Sequence, residues 1–181
     1  AVGSPGEDCG GNSVVEVEDC SQTATARGAV YLFYRNGDAW DQDPYYLKPS
    51  ENSANGADDN AQGFGSVLAL SIGTLAVGFS WEQSDDLGTD VYFSEYSSEQ
   101  SVRNANEIES GAVFLYVLTN DQSIKWKYKG IFKAPHASNP EKFGSSVDIY
   151  FNELAVGAID ENGIDGEVNV QATSGAGYVI K

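Results

Sequence analysis

The chain repeats short phrases of its own sequence. Phe-Gly-Ser at 64–66 is followed by Leu-Ala-Val-Gly at 75–78, and both phrases recur 79 residues further on, with Phe64 matched by Phe143 and Leu75 by Leu154. Part of the second phrase also occurs at 1–5, and a Gly-Ala phrase followed by bulky residues occurs at 28–33, 111–116 and 175–180. Repetition of short, strand-like phrases predicts a modular β architecture.

Four kinds of strand, named A to D here, account for the repeated phrases. Strand A is predicted at Val67–Leu70 and Val147–Tyr150, and it turns tightly into strand B, which carries Leu-Ala-Val-Gly. Strand C carries the Gly-Ala phrase, and strand D is predicted at Tyr45–Lys48 and Gly130–Lys133. Asn/Asp/Gly turns separate C from D, and no long stretch has apolar residues at helical spacing. The sequence therefore predicts an all-β fold of four-stranded antiparallel units.

The predicted strands do not fill whole units. Their order is B-C-D over 1–49, A-B-C-D over 63–134 and A-B-C over 143–181. Serial four-stranded units are the blade pattern of a β-propeller, and a closed propeller needs about four blades or more. We therefore expect residues 1–181 to form a single segment of about two and a half blades, which is an incomplete propeller or an excerpt of a longer one.

The repeated phrases resemble FG-GAP repeats, the blades of the integrin α-subunit head and of many extracellular bacterial and protist proteins. Phe64-Gly65 and Phe143-Gly144 match the first element of that motif. The second element is matched with decreasing fidelity by Gly3-Ser4-Pro5, Gly78-Phe79-Ser80 and Gly157-Ala158-Ile159. Gly6-Glu7-Asp8 is similar to the bacterial and protist subtype, which the chain resembles more than the integrins.

The resemblance implies an extracellular or cell-surface propeller that takes part in binding or adhesion without catalysis. Integrin-type blades carry a calcium loop between strands A and B. Here that connection is Ser71–Thr74 or Phe151–Glu153, which is too short and has too few carboxylates for such a loop. The family's calcium sites are therefore not expected at those positions.

Acidic residues dominate the charge of the chain. Asp and Glu number 27 against 10 Lys and Arg, which gives a net charge of -17. Phosphate groups would be repelled, so the chain is expected to be a poor partner for anionic lipid, and no binding of nucleic acid is expected. The acidity suits a salt-rich medium, divalent cations or basic partners, and it is equally explained by solubility alone. No apolar run is long enough to insert into a membrane.

Cys9 and Cys20 are the only cysteines, and they share one loop. No metal-binding spacing accompanies them, so a zinc site is not expected. A local disulfide between them predicts an oxidising compartment, and two free surface thiols are the alternative.

Three glutamates recur just after strand B, each at the head of a B-to-C loop: Glu7, Glu82 and Glu161. One interpretation makes them structural residues whose side chains accept hydrogen bonds from the backbone of a neighbouring loop. The densest acidic loop suggests instead a calcium site formed by Asp160, Asn162, Asp165 and Glu167, because calcium takes several oxygen ligands. Such clusters also arise because Asp, Asn and Gly tolerate turn geometry, and that alternative stays open.

Aromatic residues suggest a second candidate site. Trp81 stands where a small residue is expected, and Tyr92, Phe93 and Tyr96 lie in the same long loop, 81–110. Together they form a candidate contact for a protein or glycan, although the alternation over 91–96 equally predicts a small extra strand. Trp40 and Trp126 follow the C-to-D turns of successive units, which favours packing between blades.

The sequence carries no enzyme signature. It lacks a Gly-x-Ser-x-Gly elbow and a phosphate-binding Gly-Lys loop, and His136 is its only histidine. We therefore expect no catalysis, and we expect a binding or adhesion module of a larger propeller that contacts partners through its B-to-C loops. The alternatives are a structural segment whose missing blades come from the parent chain or from neighbouring subunits, and a carbohydrate-binding lectin.

Overall fold

The structure is a computed structural model, and it describes most of the repeated phrases but only part of the loops between them. The described residues are 1–8, 14–16, 28–49, 63–82, 92–95, 110–120, 125–134, 141–161 and 175–181. Within these residues there are strands and turns and no helix, so the predicted all-β class is confirmed.

Twelve strands are present in the described residues. Their bounds are β1 Val2–Ser4, β2 Val14–Glu16, β3 Ala29–Asn36, β4 Ala39–Leu47, β5 Val67–Ser71, β6 Thr74–Phe79, β7 Tyr92–Glu95, β8 Ala112–Leu118, β9 Trp126–Lys133, β10 Phe143–Tyr150, β11 Glu153–Ala158 and β12 Ala176–Ile180.

The strands form three antiparallel sheets in chain order. Sheet 1 has the order β1-β3-β4-β2, sheet 2 the order β5-β6-β8-β9-β7, and sheet 3 the order β10-β11-β12. In the lettering used above, these are B-C-D, A-B-C-D and A-B-C, with β2 and β7 added. Each added strand comes from a B-to-C loop and pairs with the outer edge of strand D, as Val14 pairs with Leu47 and Tyr92 with Lys133.

Tight turns join strands A and B. In sheet 2 the pairing continues to Ser71 and Thr74, so that Ile72 and Gly73 form the whole turn. Both have positive φ, 43° and 75°, which matches the right-handed twist of a hairpin. Phe151 repeats the conformation in sheet 3 with a φ of 53°.

The core lies between the sheets. Side chains alternate across a strand, so the middle sheet presents two faces. One face of sheet 2 packs against sheet 1 and forms an aromatic-rich cluster with Val30, Leu32 and Leu47. The other face contributes smaller residues, such as Ala76 and Val113, which pack against sheet 3. The three sheets are therefore stacked face to face, with sheet 2 in the middle.

The Phe-Gly phrase makes the contact between successive sheets. Phe64 forms a parallel bridge with Gly28 of sheet 1, and Phe143 forms the same bridge with Gly111 of sheet 2. A Cβ added to Gly78 would overlap the backbone oxygen of Gly144, so the two backbones touch there. Glycine is required at this close approach, which explains why the repeated phrase contains it.

Candidate functional site

The three recurring glutamates close the base of the B-to-C loops. Each follows its B strand by the same short distance, and its backbone carbonyl accepts a hydrogen bond from the glycine that precedes strand C. The donors are the N–H groups of Gly28, Gly111 and Gly175, and the bonds to Glu7, Glu82 and Glu161 measure 3.0, 2.9 and 3.1 Å. The same backbone contact thus joins strands B and C in all three sheets.

Sheet 2 buries a charged cluster at this point. The Lys133 ammonium lies 2.5 Å from a carboxylate oxygen of Glu82 and donates to the Ser110 hydroxyl at 2.7 Å. Lys133 is 3% exposed, and Glu82 and Ser110 are fully buried. A serine beside a lysine is a pairing used by some nucleophilic enzymes. Because all three side chains are buried, a substrate does not reach them, and the cluster is suited to a structural role.

Tyrosines contact the glutamate carboxylates in sheets 1 and 3. Tyr31 donates its hydroxyl to Glu7 at 2.5 Å, and Tyr178 donates to Glu161 at 2.9 Å. Burial, reinforced by these hydrogen bonds, raises the pKa of both tyrosines well above the ordinary value. Sheet 2 has Phe114 at the matching position, which has no hydroxyl, and there Lys133 contacts the carboxylate instead.

The donors to these carboxylates are tyrosine hydroxyls and a lysine ammonium, whereas the structural interpretation expected backbone donors from a neighbouring loop. The sequence reasoning missed the two lysines that complete the clusters. Lys48 is 2% exposed and donates to the Glu7 carbonyl oxygen at 3.4 Å, at the end of a D strand like Lys133. The signal available in the sequence was the shared ending of both D strands, two bulky residues followed by lysine.

The proposed calcium ligands are only partly described. Asp160 forms an ion pair with Lys142 at 2.8 Å, and its backbone N–H donates to the Glu141 carbonyl oxygen at 3.2 Å. Asn162, Asp165 and Glu167 lie outside the described residues. In the part of the chain that the structure describes, no group of three acidic, histidine or cysteine side chains is placed to hold a metal. Cys9 and Cys20 also lie outside that part.

Trp81 is the part of the aromatic candidate site that can be placed. Its side chain is 44% exposed at the start of the long loop, and the Lys142 ammonium lies 5.4 Å from its ring centroid. Tyr92 and Phe93 lie in β7, so the predicted extra strand is present there. Tyr96 lies outside the described residues.

The two tryptophans after the C-to-D turns differ in their surroundings. Trp126 is 7% exposed, and its indole N–H donates to the Tyr34 hydroxyl of sheet 1 at 2.9 Å, so the predicted packing between units is confirmed for this residue. For Trp40 the prediction is wrong, because its side chain is 66% exposed. Trp40 pairs with Arg35 as Trp126 pairs with Leu118, so it occupies the matching place on sheet 1. The face of sheet 1 that points away from sheet 2 is covered by no other sheet among the described residues.

Comparisons with protein-family models, with curated proteins and with solved structures found no match to this chain. Among the described residues, no helix has the length and hydropathy needed to cross a bilayer.

Proposed function

We propose that this chain is a non-catalytic binding and adhesion module, part of a larger FG-GAP-type propeller outside the cell or at its surface. The module contacts a protein or glycan partner through its B-to-C loops. Loops mounted on a rigid scaffold are the usual location of recognition residues. The buried clusters at the loop bases support this proposal, because they fix both ends of each loop.

The observation that carries the proposal is a contact between glycine backbones of successive sheets, which is made twice and has no third counterpart among the described residues. Gly3 lies against the backbone of Gly65, and Gly78 lies against the backbone of Gly144. Gly157 is the matching residue of sheet 3, and in the part of the chain that the structure describes the three atoms nearest to an added Cβ there belong to serines of its own sheet, Ser145 and Ser146. The exposed Trp40 marks the opposite end of the stack. Both ends therefore have the form of a face that a further sheet covers.

Recognition is assigned to the 81–110 loop because of Trp81. A half-exposed tryptophan is a common anchor at protein and sugar interfaces, and burial of its remaining surface favours binding. The nearby Lys142 and Asp160 provide polar groups of both signs. Calcium bound in the neighbouring loop that begins at Asp160 remains part of the proposal.

The proposal is tested by shortening the loop and by changing its anchor. Deleting residues 97–106 leaves β7 in place, and we expect it to abolish partner binding by the intact parent protein while the Tm changes by only a few degrees. Trp81→Ala is expected to weaken the same binding. Phe151→Ala, which removes an exposed aromatic side chain from an A-to-B turn and not from a B-to-C loop, is the matched control. Unchanged binding in both the deletion and the Trp81 variant would contradict the proposal.

Two alternative functions are each favoured by one feature. The uncovered faces favour a structural segment whose missing blades come from neighbouring subunits, and Trp81 favours a lectin. A glycan array distinguishes the lectin from the other functions, because a lectin gives a signal that Trp81→Ala removes. Self-association of the parent protein without any partner binding would support the structural segment.

A further inference from the structure

The half-exposed Trp81 is already in contact with a cation of its own chain. The Lys142 ammonium lies 5.4 Å from the centroid of the Trp81 ring and 2.8 Å from a carboxylate oxygen of Asp160. An ammonium within about 6 Å of an indole centroid is attracted by the negative face of the ring. Trp81 and Asp160 therefore form two sides of a site that holds one positive charge.

Three separate parts of the chain meet at this site. Trp81 follows strand β6 of sheet 2, and Asp160 follows strand β11 of sheet 3. Lys142 immediately precedes β10, between the two sheets. The lysine thus bridges the bases of two successive B-to-C loops, at the end of the sheets that carries the proposed recognition loop.

The backbone conformation of Lys142 is one that favours glycine. Its φ is 53°, in the left-handed region that side chains with a Cβ rarely adopt. The matching residue of the preceding repeat is Gly63, just before Phe64, and its φ is also positive. The turn is therefore made with less strain by glycine, and what the lysine adds is its side chain at Trp81 and Asp160.

We propose that Lys142 occupies, in the unbound chain, a site for an arginine side chain of a basic protein partner, and that the arginine displaces the lysine ammonium on binding. A guanidinium suits both sides of the site, because its flat face stacks on an indole and its edge donates two parallel hydrogen bonds to a carboxylate.

The site is accessible to an incoming side chain. The side chains of Lys142 and Asp160 are 24% and 23% exposed, and Trp81 is 44% exposed. The net charge of -17 attracts a basic partner over a distance and raises the rate of encounter. The inference rests on the proposed function, since it names the class of partner that the same tryptophan contacts.

Binding of arginine is measured at the tryptophan itself. N-acetyl-arginine methylamide is titrated into the 15N-labelled full chain, and the indole N–H resonances are followed by NMR. EDTA is present, so that no divalent cation competes for Asp160. The Trp81 resonance is the one that is lost in Trp81→Phe, and the exposed Trp40 provides an internal control. We expect a saturable shift of the Trp81 resonance with the arginine compound and none with the corresponding citrulline compound, which is uncharged.

Substitutions separate displacement of the lysine from general attraction of charge. Lys142→Gly supplies the glycine of the matching position and removes the competing cation, so the affinity for the arginine compound should rise about threefold or more. Lys142→Met, which keeps a long side chain without its charge, should have the same effect. Lys181→Met removes the same charge from an exposed site of sheet 3 and should leave the affinity nearly unchanged.

The carboxylate is tested in the same titration. Asp160→Asn should lower the affinity about threefold or more, because a charged hydrogen-bond acceptor is lost at a partly exposed site. Asp148→Asn changes an exposed aspartate elsewhere in sheet 3 and is the matched control.

Three results would overturn the inference: no saturable shift of the Trp81 resonance, an equal shift with the citrulline compound, or an affinity that both Lys142 variants leave unchanged or lower. Each of these results concerns the chain and a small arginine compound, whereas the loop deletion concerns partner binding by the parent protein. A failure of the proposed function therefore remains distinguishable.

Discussion

Lys133 is a charged side chain held inside the protein by two partners. Removing one member of a buried ion pair leaves the other charge uncompensated, which costs about 3–5 kcal/mol. We expect Lys133→Met to lower the free energy of unfolding by about that amount in a urea titration. Replacing both members, as in Glu82→Leu with Lys133→Met, should recover much of the loss, because no buried charge remains.

A solvent-exposed ion pair provides the control for the Lys133 prediction. Lys181 lies 3.4 Å from Glu153, and both side chains are more than half exposed. Exposed pairs contribute about 0–1 kcal/mol, so Lys181→Met should have little effect. Equal effects of the two lysine substitutions would show that the Glu82 cluster is not a stabilising ion pair.

Tyr34 makes the folded protein less stable at alkaline pH. The pKa of Tyr34 is raised from 10.0 to about 12, mainly because the side chain is buried. A hydrogen bond with Asp43 and the negative charge of Asp43 raise it further. The folded state therefore favours the neutral phenol. Its contribution to stability is fully present below pH 10.0 and is lost as the pH rises from 10.0 towards about 12.

The ultraviolet absorbance of tyrosinate measures this titration. We expect Asp43→Asn to move one tyrosine ionisation of the folded protein to lower pH, because the carboxylate charge no longer opposes a phenolate. An unchanged titration curve in that variant would contradict the assigned cause.

At the scale of strands and sheets, the contact between successive sheets depends on glycine. A methyl group at position 78 would overlap a backbone oxygen of sheet 3, and a backbone atom cannot move aside as a flexible side chain can. We expect Gly78→Ala to destabilise the protein by about 2–3 kcal/mol, measured by thermal or urea unfolding. Gly177→Ala is the control, since this strand glycine has open space around it, and its effect should be neutral or slightly stabilising. Similar Tm values for the two variants would contradict the close approach of the sheets.

The strands were more predictable than their surroundings. Repeated phrases and tight turns indicated the A strands at Val67–Leu70 and Val147–Tyr150, and the structure has β5 and β10 there. Strand β2 was not predicted, because a three-residue strand in a polar stretch is stabilised by pairing with a distant partner, β4. Local sequence carries little information about such a pairing.

The candidate site was less predictable for a similar reason. The recurring glutamates were found from their spacing, but the burial of Lys48 and Lys133 was not, since lysine is normally exposed. The exposure of Trp40 was also missed, because burial at that position depends on whether another sheet lies against it. The sequence of one sheet does not contain that information.

At the scale of the whole molecule, the three sheets differ in how many neighbours they have. Sheet 2 packs against a sheet on each face, whereas sheets 1 and 3 each pack against one sheet in the described residues. In a stack of this kind, stability is approximately the sum of terms for each unit and each interface. For the three described sheets taken by themselves, we therefore expect sheets 1 and 3 to open at a lower free energy than sheet 2, which native-state hydrogen exchange measures.

That difference sets the order in which the stack comes apart. Loss of sheet 1 or sheet 3 breaks one interface, and sheet 2 then becomes an outer sheet with one uncovered face. For the described sheets we expect unfolding to proceed from sheets 1 and 3 towards β6 and β8, whose strands lie between both core clusters. Each additional sheet bound to an end turns an outer sheet into an inner one, so assembly and folding stabilise the same contacts.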